Sequence, residues 1–281
     1  MNPFKNVYNE WVKIAAKPRS YLGVGAITVL VAVIVFALKA DGLSFISFVT
    51  ASFEQTLTFG GNVLNGNLVA FIVLQMLVIH VPLLVALITG DLISGESAMG
   101  TLRLLLTHPI SRHQVLASKY MAGAMYTAFI VVWLGILAIG LGRGLFGTGD
   151  LMVLNSDGLV IIPESDITWR YVGAFSVAFL ALNTVATLSI ALSCFSDNSV
   201  GPIVATMSII ILFTIIGTLD VSIFDSIRPF LFTTHMASWR SFFEDPFPMD
   251  EISNSVWVLM IHHVIFWAIS FFYFHRKDIT T

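Results

Sequence analysis

The chain is poor in charge. Only 11% of its 281 residues are Asp, Glu, Lys or Arg, against roughly 25% in an ordinary soluble domain. The shortage comes from long runs that carry no charge at all. Cysteine is nearly missing too. The lone Cys194 excludes an internal disulfide, and it reads as a small apolar filler rather than a redox or metal group. No Gly-x-x-x-x-Gly-Lys-[Ser/Thr] run occurs, and no lysine follows a glycine anywhere. A phosphate-cradling loop of that type is therefore absent, and ATP hydrolysis by this chain is not expected. His-Glu-x-x-His, paired-cysteine and Gly-x-Ser-x-Gly motifs are missing as well, so nothing supports a zinc site or a hydrolase elbow. The net charge of -3 says little about partners, and nucleic acid is not expected among them.

What the chain has is hydrophobic length. Residues of apolar type make up 57%. A helix needs about 20 such residues to cross a hydrocarbon core. Six runs qualify: 21–38, 68–89, 121–141, 171–195, 201–219 and 255–274. A large soluble helical protein would not supply so many near-complete spans. The expected fold class is an all-α integral membrane protein with six transmembrane helices forming one domain. The first run begins only after Arg19 and lacks a small-residue cleavage site, so it reads as a retained span. The stretch from Leu43 to Leu57 reads as an external segment, interrupted by Glu54 and ending in the turn-rich run from Gly60 to Asn67.

Orientation follows from the loops. The two tails, the connection between spans two and three, and the link around Asp197 share one side. They carry nine basic residues, against five on the other side. The positive-inside rule puts both termini in the cytoplasm. Before the first span, Phe4, Tyr8, Trp11 and Ala15 recur at helical spacing, with Lys5, Asn9, Lys13 and Lys17 as a second stripe. That pattern predicts an amphipathic helix over residues 1–19, lying in the headgroup interface with its lysines near anionic lipid. Pro18 ends it.

The connection at 90–119 is the most informative stretch. It reads Gly90-Asp91-Leu92-Ile93-Ser94-Gly95-Glu96, then Gly100-Thr101-Leu102-Arg103-Leu104-Leu105-Leu106, then Pro109-Ile110-Ser111-Arg112 and Lys119. Leu102, Leu105 and Leu106 share a helical face. Pro109 stops that helix, and Ser111 is the expected N-cap of the next one. A short apolar helix on the basic side needs a cover, either the lipid interface or a soluble partner.

This run resembles the corresponding region of ABC-2 type transporter permeases, the membrane subunits of one class of ABC exporters. The six-span plan, the amphipathic N-terminus and the ending Arg276-Lys277-Asp278 fit the same family. The resemblance implies a coupling helix that docks on a separate ATPase subunit. Asp91, Glu96, Gly100, Thr101, Leu102, Arg103, Pro109 and Arg112 would lie at or near that contact. ATP and Mg2+ would belong to the partner ATPase, present in two copies, and this chain would need no cofactor of its own. Two copies of the chain, or this chain and a related permease, would form the pathway in a bacterial or archaeal cytoplasmic membrane. Glu96 and Arg103 pair with each other or with the partner, or form a solvated face.

Gln75, His80, Asn183, His262 and His263 fall inside spans. They either line a transport path or make interhelical hydrogen bonds. The ten methionines are scattered, which favours packing over a metal site. A second reading stays open. The chain could anchor or transmit ATP-driven motion to an external partner through its acidic connections, moving no substrate.

Overall fold

The computed structural model describes residues 3–50, 63–77, 79–107, 110–155 and 158–277. The chain is a helical multi-pass membrane protein. Helix α1 (Pro3–Ala16) stops just before Pro18, which opens α2 (Pro18–Thr50). A proline fits the first helical position because it has no N–H to leave unpaired. Its apolar section runs over Pro18–Gly42, and the helix breaks at Asp41, where φ is −143°. Part of the Leu43–Leu57 stretch continues as helix to Thr50. Glu54 and the turn run from Gly60 to Asn62 lie outside the described residues.

The second apolar run is not one straight helix. It divides into α3 (Gly66–Leu77) and α4 (His80–Thr89), bent by 55°. Pro82 sits in the first turn of α4, where its missing N–H costs little. Next come α5 (Ser94–Ala98), α6 (Thr101–Thr107) and α7 (Arg112–Phe146). The N-cap of α7 is Ser111. Its hydroxyl accepts from the Gln114 N–H, and the Gln114 side chain accepts from the Ser111 N–H, a reciprocal pairing of two orphan donors. Helices α8 (Glu164–Cys194), α9 (Val200–Thr218) and α11 (Met249–Arg276) complete the long apolar set, with the short α10 (Phe232–His235) and three 3-10 turns between α9 and α11. Among the described residues, five helices are long and apolar enough to cross a membrane, and the bent pair makes a sixth only when counted together.

One element departs from the all-α expectation. Strands β1 (Leu151–Asn155) and β2 (Gly158–Ile162) form an antiparallel hairpin, Leu151 opposite Ile162. A lone hairpin is marginal in water. This one buries Leu151, Val153 and Ile162 in the main core. Asn65 and Asn67 tie its approach to α3, each donating 2.6 Å bonds to the carbonyls of Asp150 and Gly149 respectively.

α8 is the central helix. Its apolar window is 61% buried, against 17% for α9 and for α11, and it packs on α4, α7, α9 and α11. At the hairpin end, α3 crosses α7 with backbones in contact. A Cβ at Gly142 would stand 2.6 Å from the Gly66 carbonyl, and one at Gly66 would collide with the Arg143 backbone.

Candidate functional site

The residues singled out in the 90–112 connection do not share one surface. Helix α1 turns Asn6, Glu10 and Ile14 inward, at i, i+4 and i+8, and packs along α7. Phe4 and Tyr8 remain on the outer face, 80% and 66% exposed, as an interfacial helix requires. Lys13 and Lys17 pair with carboxylates of the protein. Lys13 Nζ lies 2.6 Å from Glu10 Oε1 and 2.7 Å from Glu96 Oε1, and Lys17 Nζ lies 2.7 Å from Asp91 Oδ2. Arg19 reaches the other Asp91 oxygen at 2.8 Å. Lys119, fully buried on α7, completes the group at 2.9 Å from Glu10 and 2.7 Å from Glu96. Two carboxylates thus share two ammonium groups, and α1, α5 and α7 meet at one charged knot.

Burial works to raise the Glu96 pKa, but Lys119 and Lys13 outweigh it and hold the carboxyl below its ordinary range. Burial likewise works to lower Lys13, and Glu10 and Glu96 overcome it and raise its pKa. Both groups are therefore held in their charged forms. Glu96 pairs with Lys13 and Lys119 and does not face Arg103.

The same connection is fastened on its other side. The Ser193 hydroxyl, in the last turn of α8, accepts from the N–H groups of Ile93 and Ser94 at 3.2 and 2.8 Å. It thereby serves as a cap in trans for α5, whose own N-cap residue, Ile93, makes no side-chain bond. Ser97 donates to Asp197 Oδ1 at 2.7 Å, and Lys277 donates to the same oxygen at 2.7 Å. Those two bonds, Lys277 foremost, lower the Asp197 pKa. Arg112 donates to the carbonyls of Phe274, His275 and Lys277 at 3.1, 3.1 and 2.6 Å, closing the C-terminal end of α11.

Gly100 marks the corner between α5 and α6. Its φ of +68° lies in the left-handed region that favours glycine. Beyond it, Thr101 and Arg103 are exposed and Leu102 is buried. Leu104, next along, is 66% exposed. Pro109 lies outside the described residues.

The polar residues within spans do not form one cluster. Gln75 and His80 are exposed on separate halves of the bent pair, with His80 Nδ1 bonded to Met76 O of the preceding turn. His262 bonds its own helix at Val258 O, and its ring lies tilted against those of Phe232 and Phe266. His263 meets Thr187 of α8 at 2.8 Å, and Thr187 donates to Asn183 O.

Sequence reasoning missed Glu10 and Asn6. Glu10 is the only acid before Asp41, set among four bases, and that isolation was the available signal. The buried Asn6 gave none.

Long apolar helices around a central α8, joined on one side by a charged knot, define a multi-pass helical membrane protein. The chain belongs to the family described as "Protein of unknown function (DUF2705)", whose model matches residues 26–280. It is similar to the "Uncharacterized protein YhcI" of Bacillus subtilis (strain 168), 25% identical over 201 residues. That match covers 69% of this chain and 63% of the relative, less than two thirds of the relative's length.

Proposed function

We propose that this chain is the membrane subunit of an ATP-driven exporter of the ABC-2 type. It crosses the membrane six times, the bent pair α3–α4 counting as one span. Both termini lie in the cytoplasm. Two copies, or this chain and a related permease, form the pathway, and a separate ATPase binds beside α6.

The observation that supports this reading is the fastening of the 90–112 connection. A motor can move spans only through a stiff link. Here α5 is joined to α7 by a buried ion pair, to α1 by a half-exposed one, and to α8 through Ser193. The exposed Thr101 and Arg103 are then the docking surface. Asp91, Glu96 and Leu102 are its internal support. Arg112 joins the connection to the end of α11. A push on α6 would reach α1, α7, α8 and α11 together.

The test is co-purification with a co-expressed ABC ATPase subunit from the same organism. Arg103→Glu changes an exposed side chain and should leave thermal unfolding unchanged while reducing recovery of the ATPase. Full recovery with Arg103→Glu and with Thr101→Glu would remove the docking assignment.

The second reading, an anchor or mechanotransmitter, is favoured by one observation. The connection between α9 and α11 is ordered against α8, where Arg170 donates 2.9 Å bonds to the carbonyls of Phe242 and Glu244. An ordered face of that kind suits an external partner. Uptake into sealed vesicles separates the two readings, since a mechanotransmitter moves no substrate.

A further inference from the structure

Five basic residues lie on the hairpin side, and four of them are answered. Lys39 donates to Leu145 O at 2.9 Å. Arg143 Nε donates to Asn67 Oδ1 at 2.9 Å. Arg170 meets Asp166 at 2.7 Å, and Arg228 meets Asp225 at 3.0 Å. Arg240 is the fifth. Among the described residues, no carboxylate, carbonyl or hydroxyl accepts from its guanidinium. Its Nε is shut off from solvent without a partner, and the side chain as a whole is half-buried. Burial lowers its pKa, and no neighbour acts the other way. An arginine does not escape by losing its proton, so a guanidinium placed like this carries an uncompensated charge.

The backbone around it is fixed. Arg240 belongs to the 3-10 turn Ser238–Phe243. Trp239 before it is 4% exposed, and Phe242 and Phe243 after it are buried. The Phe71 ring of α3 packs against Trp239 and Phe243 at 5.8 and 5.3 Å. Arg170 of α8 holds the Phe242 carbonyl at 2.9 Å. A second donor stands beside the guanidinium. The Trp239 ring lies 5.8 Å from the guanidinium carbon, and among the described residues its indole N–H has no acceptor either. A buried indole ordinarily finds one.

We propose that Arg240 and the Trp239 N–H form an oxyanion site that takes a phosphate group. The donors select the ligand. The guanidinium is a planar fork that matches two oxygens of a phosphate. A carboxylate would be used up by that fork, whereas a phosphate keeps a further oxygen for the indole. The level of the turn points to a source. Arg170, which holds the turn, directly follows Trp169, and Trp169 is 45% exposed. Tryptophan marks the layer where headgroups meet acyl chains, and lipid phosphates lie in that layer. A phosphate in solution offers the same oxygens. The site does not depend on whether the protein moves a substrate.

The test compares thermal midpoints of the whole chain in nanodiscs of two lipids. Phosphatidylcholine carries a phosphate, digalactosyldiacylglycerol carries none, and neither has a net charge. Lipid composition shifts any membrane protein, so the readout is the difference between the unaltered protein and Arg240→Met. In galactolipid the methionine variant should be at least as stable as the unaltered protein, because it removes a buried charge without a partner. In phosphatidylcholine the unaltered protein should gain about 3–6 °C relative to the variant, the shift that one or two charge-assisted hydrogen bonds supply in a chain of this size. Inorganic phosphate added to the galactolipid discs separates the sources. The same relative gain there would show that a free phosphate fills the site, and a gain with phospholipid alone would assign it to headgroups. Trp239→Phe keeps the ring and removes the N–H, so it should reduce the gain. Arg240→Lys keeps the charge without the fork and should retain under about half of it, which keeps the test open if the methionine variant fails to fold. No relative gain with either phosphate source would overturn the proposal. So would a full gain in the lysine variant, which would show a general response to charge.

Discussion

The ammonium of Lys119 lies 2.7 Å from Oε2 of Glu96, with the lysine side chain wholly withdrawn from solvent. Moving both ions out of water offsets most of their attraction, so such a pair adds little net stability. Losing one member is different, because the other is left charged and buried. Lys119→Met should therefore cost about 3–5 kcal/mol, read as a drop in the thermal midpoint of the purified protein. Glu96→Gln combined with Lys119→Met should cost clearly less than the sum of the two single changes, since residues in one network couple. Additive costs would show that the two groups act independently.

The knot also sets a pH window. Glu96 is held below its ordinary value of 4.5, so its contribution to stability is complete above that value and disappears as pH falls through the lowered pKa. Lys13 is held above its ordinary value of 10.5, so its contribution is complete below that value and disappears as pH rises through the raised pKa. Thermal midpoints should form a plateau between these limits and fall on both sides. Lys13→Met should flatten the alkaline limb and, because Lys13 also helps to hold Glu96 ionised, shift the acid limb to higher pH. A Lys13→Met protein with an unchanged alkaline limb would assign that limb to other groups.

The helices were legible because apolar length is a local property. Pro18 marked the end of α1 and Ser111 the start of α7 for the same reason. The knot was not legible. Glu10 and Lys119 are 109 positions apart, and nothing in either neighbourhood announces the other. The lysine stripe of α1 pointed to lipid because anionic headgroups are the default partner of an exposed lysine. Asp91 and Glu96, inside the protein, compete for Lys17 and Lys13 at shorter range and in lower dielectric. The hairpin escaped notice because its inward residues, Leu151, Val153 and Ile162, need the side of a helical bundle to cover them, which no local window contains. Pro82 marked a kink in the second apolar run, and the bend between α3 and α4 falls just before it.

Arg112 bridges α7 to the end of α11 through three carbonyls. All three carbonyls are met by one guanidinium nitrogen, Nη1, at the far end of the side chain, a position that the shorter lysine stem does not reach in the same way. Arg112→Lys should keep the charge yet free part of that end. Amide exchange should quicken over Phe274 to Lys277 and stay unchanged in the middle of α11. The global cost should be modest, about 1–2 kcal/mol, because the contact is partly open to water. Unchanged exchange at the helix end would mean that packing, not Arg112, holds it.

Leu102 and Arg103 are neighbours with opposite exposure, the first buried and the second exposed. Leu102→Ala should lower stability by about 2–5 kcal/mol through the space it leaves. Arg103→Ala should stay within about 0.5 kcal/mol of the unaltered protein. Denaturant midpoints measured in the same detergent give both numbers. Equal effects would mean that α6 is not seated on its leucine.

Gly100 sets the angle at which α6 leaves α5, and its φ of +68° gives a sharp test of that corner. No neighbour stands within 4 Å of a Cβ built there, so any cost of substitution comes from the backbone alone. Alanine in the left-handed region costs about 1–2 kcal/mol. Asparagine visits that region far more readily than alanine. Gly100→Asn should therefore retain most of the stability that Gly100→Ala loses, although asparagine is the bulkier residue. Limited proteolysis across the segment from Met99 to Arg103 should follow the same order, with the alanine variant cut fastest. If asparagine proves as damaging as alanine, steric crowding at the corner, rather than backbone conformation, governs how α6 is presented.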